Sequence, residues 1–213
     1  MDFPDRSFII THLQQSADVA LLTVWNCATP IATAADMIAN AFERGGKLLL
    51  CGNGGSAADC QHLATEFTCR LSSDFPRGPL AALALTTDTS FLTAYSNDFD
   101  FTGVFARQVQ ALGRPDDVLL AISTSGNSPN IVRAVEAAHT LGIRTIALTG
   151  QNGTLKGLAD LAICVPSDSP MHVQEVHLCI EHILCAIVER RLFSKPQSDA
   201  PANGHPAPVP AGR

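Results

Sequence analysis

The sequence predicts an α/β fold: a three-layer αβα sandwich around a central, doubly wound parallel sheet. Short, predominantly apolar segments recur along it, namely KLLLC, AALAL, DVLLAIS, RTIALTG and LAICVP. Helical patterns with apolar residues three and four apart separate them. Two polar loops that carry glycine, GNGGS at 52–56 and STSGNS at 123–128, follow two of these segments at once. Strands apolar on both faces, alternating with helices, form a parallel sheet covered on both sides. In such sheets ligands bind beyond the carboxyl ends of the strands, where both loops lie.

The elements follow in order. Residues 6–24 carry helical apolar spacing. A second helix is expected from Thr29-Pro30, with proline in a favoured first-turn position, up to the Gly45-Gly46 pair. KLLLC (47–51) is a strand, followed by GNGGS and the helical AADCQHLATEFTCRL. Strand AALAL (81–85) precedes a helix near 88–95 and another over VFARQVQAL. DVLLAIS (117–123) leads through STSGNS into the helix PNIVRAVEAAHTLG. Strands RTIALTG (144–150) and LAICVP (161–166) and a helix over 171–192 complete the fold.

With 213 residues the chain fits one domain, expected over 1–193 with an N-terminal helical segment. A net charge of −6 argues against a protein built to grip nucleic acid. No apolar run approaches the ~18 residues that span a bilayer, and MDFPDRSF lacks the basic start and apolar core of a signal peptide. A soluble, cytoplasmic protein is expected, with no membrane partner. The seven cysteines contain no C-x-x-C pair and sit mostly among apolar neighbours, which points to reduced, buried thiols. Five of the thirteen prolines fall in the last 19 residues, almost without large apolar side chains, so 194–213 is expected to be a disordered Pro/Ala-rich tail.

STSGNS places three serines and a threonine immediately before a helix. Free backbone N–H groups, the helix dipole and several hydroxyls make an anion site without a formal cation, and Gly126 lets the backbone approach closely. The alternative is an ordinary cap by Ser128 or Asn127, which needs only one side chain. GNGGS makes a tight strand-to-helix turn in which Ser56 can cap the next helix. It is not a dinucleotide fingerprint, because Ala57 stands where the last glycine belongs, and the chain has no G-x-x-x-x-G-K-[ST] loop. Together the two loops suggest a polar site for a sugar phosphate.

His62 and Glu66, four apart on a helix, project about 40° from one another; Gln174 and His182, eight apart, about 80°. The final helix is otherwise apolar, so polar groups on it need partners. Two His, one Glu and one Gln suit a divalent, zinc-like site, and the same Glu and His suit proton transfer. The structural alternative pairs His62 with Glu66 along the helix and leaves His182 a satisfied core histidine. His172 and His177 are equally ambiguous, while His12 and His139 read as surface residues.

CGNGGSAADCQHLATEF, LTTDTSFLTAYSND, LLAISTSGNSPNIVRAVEAA and VQEVHLCIEHILC together resemble the sugar isomerase (SIS) domain, and more narrowly the phosphoheptose isomerases, from the first helix to about Phe193. The resemblance implies a SIS-type, flavodoxin-like sheet and an enzyme that isomerises sedoheptulose 7-phosphate to D-glycero-D-manno-heptose 7-phosphate, in lipopolysaccharide-core or other heptose pathways. It implies Glu66 as the base moving a proton between C1 and C2 through an enediol, and His182 as the acid. It implies one zinc per active site, held by His62, Glu66, Gln174 and His182. Ser123, Thr124, Ser125 and Ser128 would bind phosphate; Asn53, Gly54, Ser56, Asn97, Asp98 and Gln174 would line the sugar. A homotetramer with active sites at subunit interfaces is also implied.

The chain departs from some members of the family at Met171, where they carry an acidic residue. Two other readings compete: a non-catalytic SIS protein of the type that binds the bacterial replication initiator, and an isomerase of another phosphosugar. A binding module needs neither a base at Glu66 nor an acid at His182.

Overall fold

The apolar segments assemble into one parallel sheet in a computed structural model that describes residues 4–194. Helix α1 (Pro4–Glu43) leads to β1 (Leu48–Cys51), α2 (Gly55–Thr68), β2 (Ala82–Ala84) and α3 (Thr89–Asp98). A 3-10 turn (Phe101–Gly103), α4 (Val104–Leu112), β3 (Val118–Ser123) and α5 (Pro129–Thr140) follow. Then come β4 (Arg144–Gly150), the short α6 (Leu155–Leu158), β5 (Leu161–Val165) and α7 (Pro170–Phe193). Apart from Ser194, the Pro/Ala-rich tail expected to be disordered lies outside the described residues.

Successive strand residues face opposite layers, as the pleat requires. Leu48 and Leu50 of β1, with Val118, Leu120 and Ile122 of β3, pack against Ile31 and Ile38 of α1, Leu63 and Phe67 of α2, and Val176 and Leu184 of α7. Leu49, Cys51, Leu119 and Ala121 pack on the other side against Val104 and Phe105 of α4 and Ile131 and Val135 of α5. All these side chains are buried. Each large one contributes about 1.5–3 kcal/mol by leaving water. This two-sided burial is why the strands read as unbroken apolar runs.

The strand order is β2-β1-β3-β4-β5, with Cys51 opposite Ala121 where β1 pairs with β3. The chain leaves β1 toward β2 on one side and later returns across it to β3. Loops therefore diverge between the carboxyl ends of β1 and β3 and open a crevice there. GNGGS and STSGNS begin at those two ends, which is why one crevice holds both.

The N-terminal region differs from expectation. One helix of 40 residues replaces two, and Pro30 lies inside it. Proline removes one helical hydrogen bond, at a cost of about 3 kcal/mol. Packing holds the helix through that point: Cys27, Ile31, Ala34, Ala35 and Ile38 are buried on either side of it, and the Cys27 thiol donates to the carbonyl of Cys164. Toward the N-terminus the helix is differently placed. Phe8, Leu13, Leu21, Leu22, Val24 and Trp25 are exposed, Trp25 at 85%.

Helix α3 runs three residues beyond the expected end, to Asp98, and α6 has no counterpart in the sequence reading. The cysteines were expected to be buried. Cys27, Cys51, Cys60 and Cys185 are, whereas Cys69 at the end of α2 and Cys179 on the outer face of α7 are exposed. Burial pushes the thiols of Cys51 and Cys60 up, which keeps them inert. Among the described residues only α7 is long and apolar enough to cross a membrane, and half of that stretch is buried inside the fold.

Candidate active site

STSGNS wraps the start of α5. Gly126 turns the chain at φ +65°, where any Cβ would meet the Asn152 carbonyl at 2.6 Å and the Thr149 hydroxyl at 2.7 Å. The turn gathers three hydroxyls: the Ser123 oxygen lies 3.1 Å from that of Ser128 and 3.4 Å from that of Ser125. Ser128 occupies the cap position of α5, yet its side chain makes no capping hydrogen bond. Asn127 is directed elsewhere and accepts from the Thr154 backbone N–H at 2.9 Å. Neither residue is the cap that the alternative reading required. The hydroxyls converge on the start of α5, where the helix dipole favours an anion, although Pro129 has no N–H and the Ile131 N–H already donates to the Ser128 carbonyl. Thr124 is half-buried beside them.

On the other side of the crevice, Asn53 and Asn130 exchange amide hydrogen bonds at 2.9 and 2.8 Å, tying GNGGS to the first turn of α5. Gly54, not Ser56, is the residue that precedes α2, and Ser56 is buried within its first turn, so it does not cap the helix as expected. Gly55 allows a close approach: a Cβ there would lie 2.1 Å from Gln174 Nε2. The side chain of Gln174, from α7, thus rests on the loop. Asn97 and Asp98 stand exposed at the end of α3, where Asn97 donates to Asp98 at 2.9 Å, outside this network.

His62 of α2 and His182 of α7 meet with their Nε2 atoms 2.8 Å apart. Glu66, one turn along α2, has Oε1 3.7 Å from His62 Nε2. Its Oε2 is buried without a hydrogen-bond partner. A buried carboxylate oxygen left unpaired costs several kcal/mol, a cost that a bound cation or a proton would relieve. His62 is therefore in contact with two of the other three residues expected to hold a metal. The fourth, Gln174, donates from Nε2 to Asp59 at 3.0 Å, which leaves its carbonyl oxygen free.

Sequence reasoning missed two residues around this group. Asp59 lies one turn before His62, and burial raises its carboxyl pKa against the opposing effects of Gln174 and His62. Its i,i+3 spacing from His62 was the available signal. Arg77, from the loop before β2, has a fully buried side chain that pairs with Glu189 at 2.6 Å. It also donates to the backbone carbonyls of Glu66 at 2.6 Å and Phe67 at 2.7 Å. Arg77 thereby fixes the last turn of α2, which carries Glu66, and nothing local in the sequence announces it. Next to His182, Glu181 is wholly buried with both oxygens unpartnered, and burial, then Asp59, pushes its carboxyl up to about 8.

Among the described residues, the His/His/Glu group whose ligand atoms all lie within 4.8 Å of one another, close enough to hold a metal, lies elsewhere: His12, His172 and Glu175. His12 was expected at the surface but is half-buried, 3.1 Å from Glu175. Hydrogen bonds from Ser16, then His172 and His12, hold the Glu175 carboxyl down to about 2.

Comparison with known proteins places the chain in a family. The family model described as SIS domain covers residues 13–150. The chain is 49% identical over 199 residues to the phosphoheptose isomerase of Roseiflexus sp. (strain RS-1), spanning 92% of this chain and 100% of that protein. The solved phosphoheptose isomerase of Neisseria gonorrhoeae is 41% identical with a TM-score of 0.80, covering 86% of this chain and 97% of that one. That of Francisella tularensis is 39% identical with a TM-score of 0.84, covering 88% and 100%. The chain belongs to the phosphoheptose isomerase family of SIS-domain aldose–ketose isomerases.

Proposed function

We propose that this chain, as one SIS domain over 1–193, converts sedoheptulose 7-phosphate to D-glycero-D-manno-heptose 7-phosphate in the cytoplasm. The observation that carries the reading is the buried, unpartnered Glu66 Oε2 beside two imidazoles where α2 meets α7. In this reading Ser123, Thr124, Ser125 and Ser128, with the N–H groups of α5, hold the phosphate. Asn53, Gly54, Ser56, Asn97, Asp98 and Gln174 line the sugar.

Glu66 removes a proton from C1 of the ketose while His182 delivers one to the oxygen at C2, giving the enediol. Return of the proton from Glu66 to C2, as His182 takes up the proton of the C1 hydroxyl, leaves the aldose with both side chains restored; no atom is gained or lost. The donor set of His62, His182, Glu66 and the free Gln174 carbonyl oxygen fits a zinc ion, one per site. When bound, zinc supplies a Lewis acid that stabilises charge on the sugar oxygens. Asp59 orients Gln174, and Arg77 holds the helical turn on which Glu66 sits.

The exposed apolar face of α1 and α7 supports a homotetramer with active sites near the subunit interfaces. Val24, Ala28 and Ile183 line an apolar cleft of about 390 Å³ there. Faces of this kind mark association surfaces.

The test is to incubate the purified chain with sedoheptulose 7-phosphate, with and without a chelator and added zinc, and to follow aldose formation. Conversion that the chelator stops and zinc restores is expected. No conversion by zinc-replete protein, with turnover of a pentose or hexose phosphate instead, would move the assignment to another phosphosugar.

A further inference from the structure

Ahead of Val19 no described residue of α1 is buried, so little apolar packing holds its first turns to the sandwich. Polar side chains reach across to α7 instead. His12 Nε2 lies 3.1 Å from Glu175 Oε1, and His172 Nδ1 3.2 Å from Glu175 Oε2. The Ser16 hydroxyl donates to Glu175 Oε2 at 2.5 Å and lies 3.1 Å from His172 Nδ1. The two imidazole rings are tilted, with centroids 4.6 Å apart. Two of these residues come from each helix, spaced i,i+4 on α1 and i,i+3 on α7.

We propose that His12, His172 and Glu175 form a second divalent-metal site, distinct from the His62 group, that clamps the start of α1 to the first turn of α7. Bonds of ~2.0–2.1 Å in a tetrahedron put neighbouring ligand atoms about 3.3 Å apart. Here each imidazole nitrogen lies 3.1 or 3.2 Å from one of the two Glu175 oxygens, and one ligand atom from each residue falls within 4.8 Å of the others, so small side-chain shifts close the site around an ion. Two imidazole nitrogens and one carboxylate oxygen suit a borderline cation such as zinc. Ser16 has the place of the outer hydrogen-bond donor that orients a ligating carboxylate. His12 and His172 also line a cleft of about 430 Å³ with Phe8, Asp18, Ser169 and Met171, so a fourth coordination position faces open space. None of the cleft's lining residues belongs to the two loops or to the His62 group.

The experiment uses the full chain, stripped with a chelator and then equilibrated with zinc, with bound metal counted by elemental analysis after gel filtration. In a His62→Ala, His182→Ala background one zinc per chain is expected to remain. Adding His12→Gln, or separately Glu175→Gln, should abolish it. In the otherwise unaltered chain His12→Gln should lower the count by one, so the result stands even if the double variant folds poorly. Hydrogen exchange gives a structural readout: zinc should slow exchange over 5–18 in the background variant and leave it unchanged once His12 is replaced. A background variant that folds and binds no zinc, or zinc binding that ignores both His12 and Glu175, would overturn the proposal. Because no readout is turnover, its failure is separable from failure of the isomerase reading.

Discussion

His62 and His182 touch Nε2 to Nε2 at 2.8 Å although 120 residues separate them. The contact joins α2, which follows the first polar loop, to α7, the last helix. Glu66 lies on the same side of α2, and this makes the pair of helices the centre of the proposed chemistry.

Glu66→Gln keeps the size and removes the base. Turnover should fall by roughly 100- to 10,000-fold while the thermal midpoint stays close to that of the unaltered protein. Aldose formation and a melting curve on the same sample test this. Retained activity would take the base role away from Glu66.

Ser125→Ala deletes one of the converging hydroxyls. A hydrogen bond to a charged group contributes about 1.5–3 kcal/mol, so KM for the phosphosugar should rise at least roughly tenfold, with a smaller effect on kcat. Steady-state kinetics separate the two constants, and an unchanged KM argues against STSGNS as the phosphate loop.

Arg77→Ala leaves Glu189 buried without its partner and frees the carbonyls of Glu66 and Phe67. Breaking a buried pair from one side costs about 3–5 kcal/mol. Urea unfolding should show a loss of that size. A loss below about 1 kcal/mol, the range of exposed pairs, would mean that water reaches the pair.

His177 is fully buried, and burial pulls its imidazole down to about 4. The unfolded chain takes up that proton near the ordinary value of 6.5, whereas the folded one resists. Its contribution to stability is therefore full above pH 6.5 and is lost as pH falls toward 4, a change of about 3 kcal/mol. His177→Leu should flatten the stability profile in that window, measured by denaturant unfolding at successive pH values. An unchanged slope would show that another group governs it.

Trp25→Glu places a charge in the exposed apolar face of α1. If that face joins subunits, light scattering should show the assembly shift to smaller species. Persistence of a tetramer would place the interface elsewhere.

Much of the crevice is legible in the chain itself. The apolar runs of Leu48–Cys51 and Val118–Ser123 demand a sheet covered on both faces, because burial at every position leaves no face for water. The loops that follow them are local in sequence, so Ser123, Ser125, Ser128 and Gly126 point directly to the proposed phosphate loop. Spacing also places His62 and Glu66 on one helical face. The single helix through Pro30 was hidden, since local preference favours a break and only packing against α7 and β5 overrides it. Arg77, the Asp59–Gln174 bond and the contact of His12 with Glu175 were hidden for a related reason: each depends on where distant helices cross. Periodicity fixes which face of an element is buried, through a preference that acts residue by residue. The register of α7 against α1 and α2 is set by the packed core as a whole, so the tertiary structure alone decides which polar side chains meet.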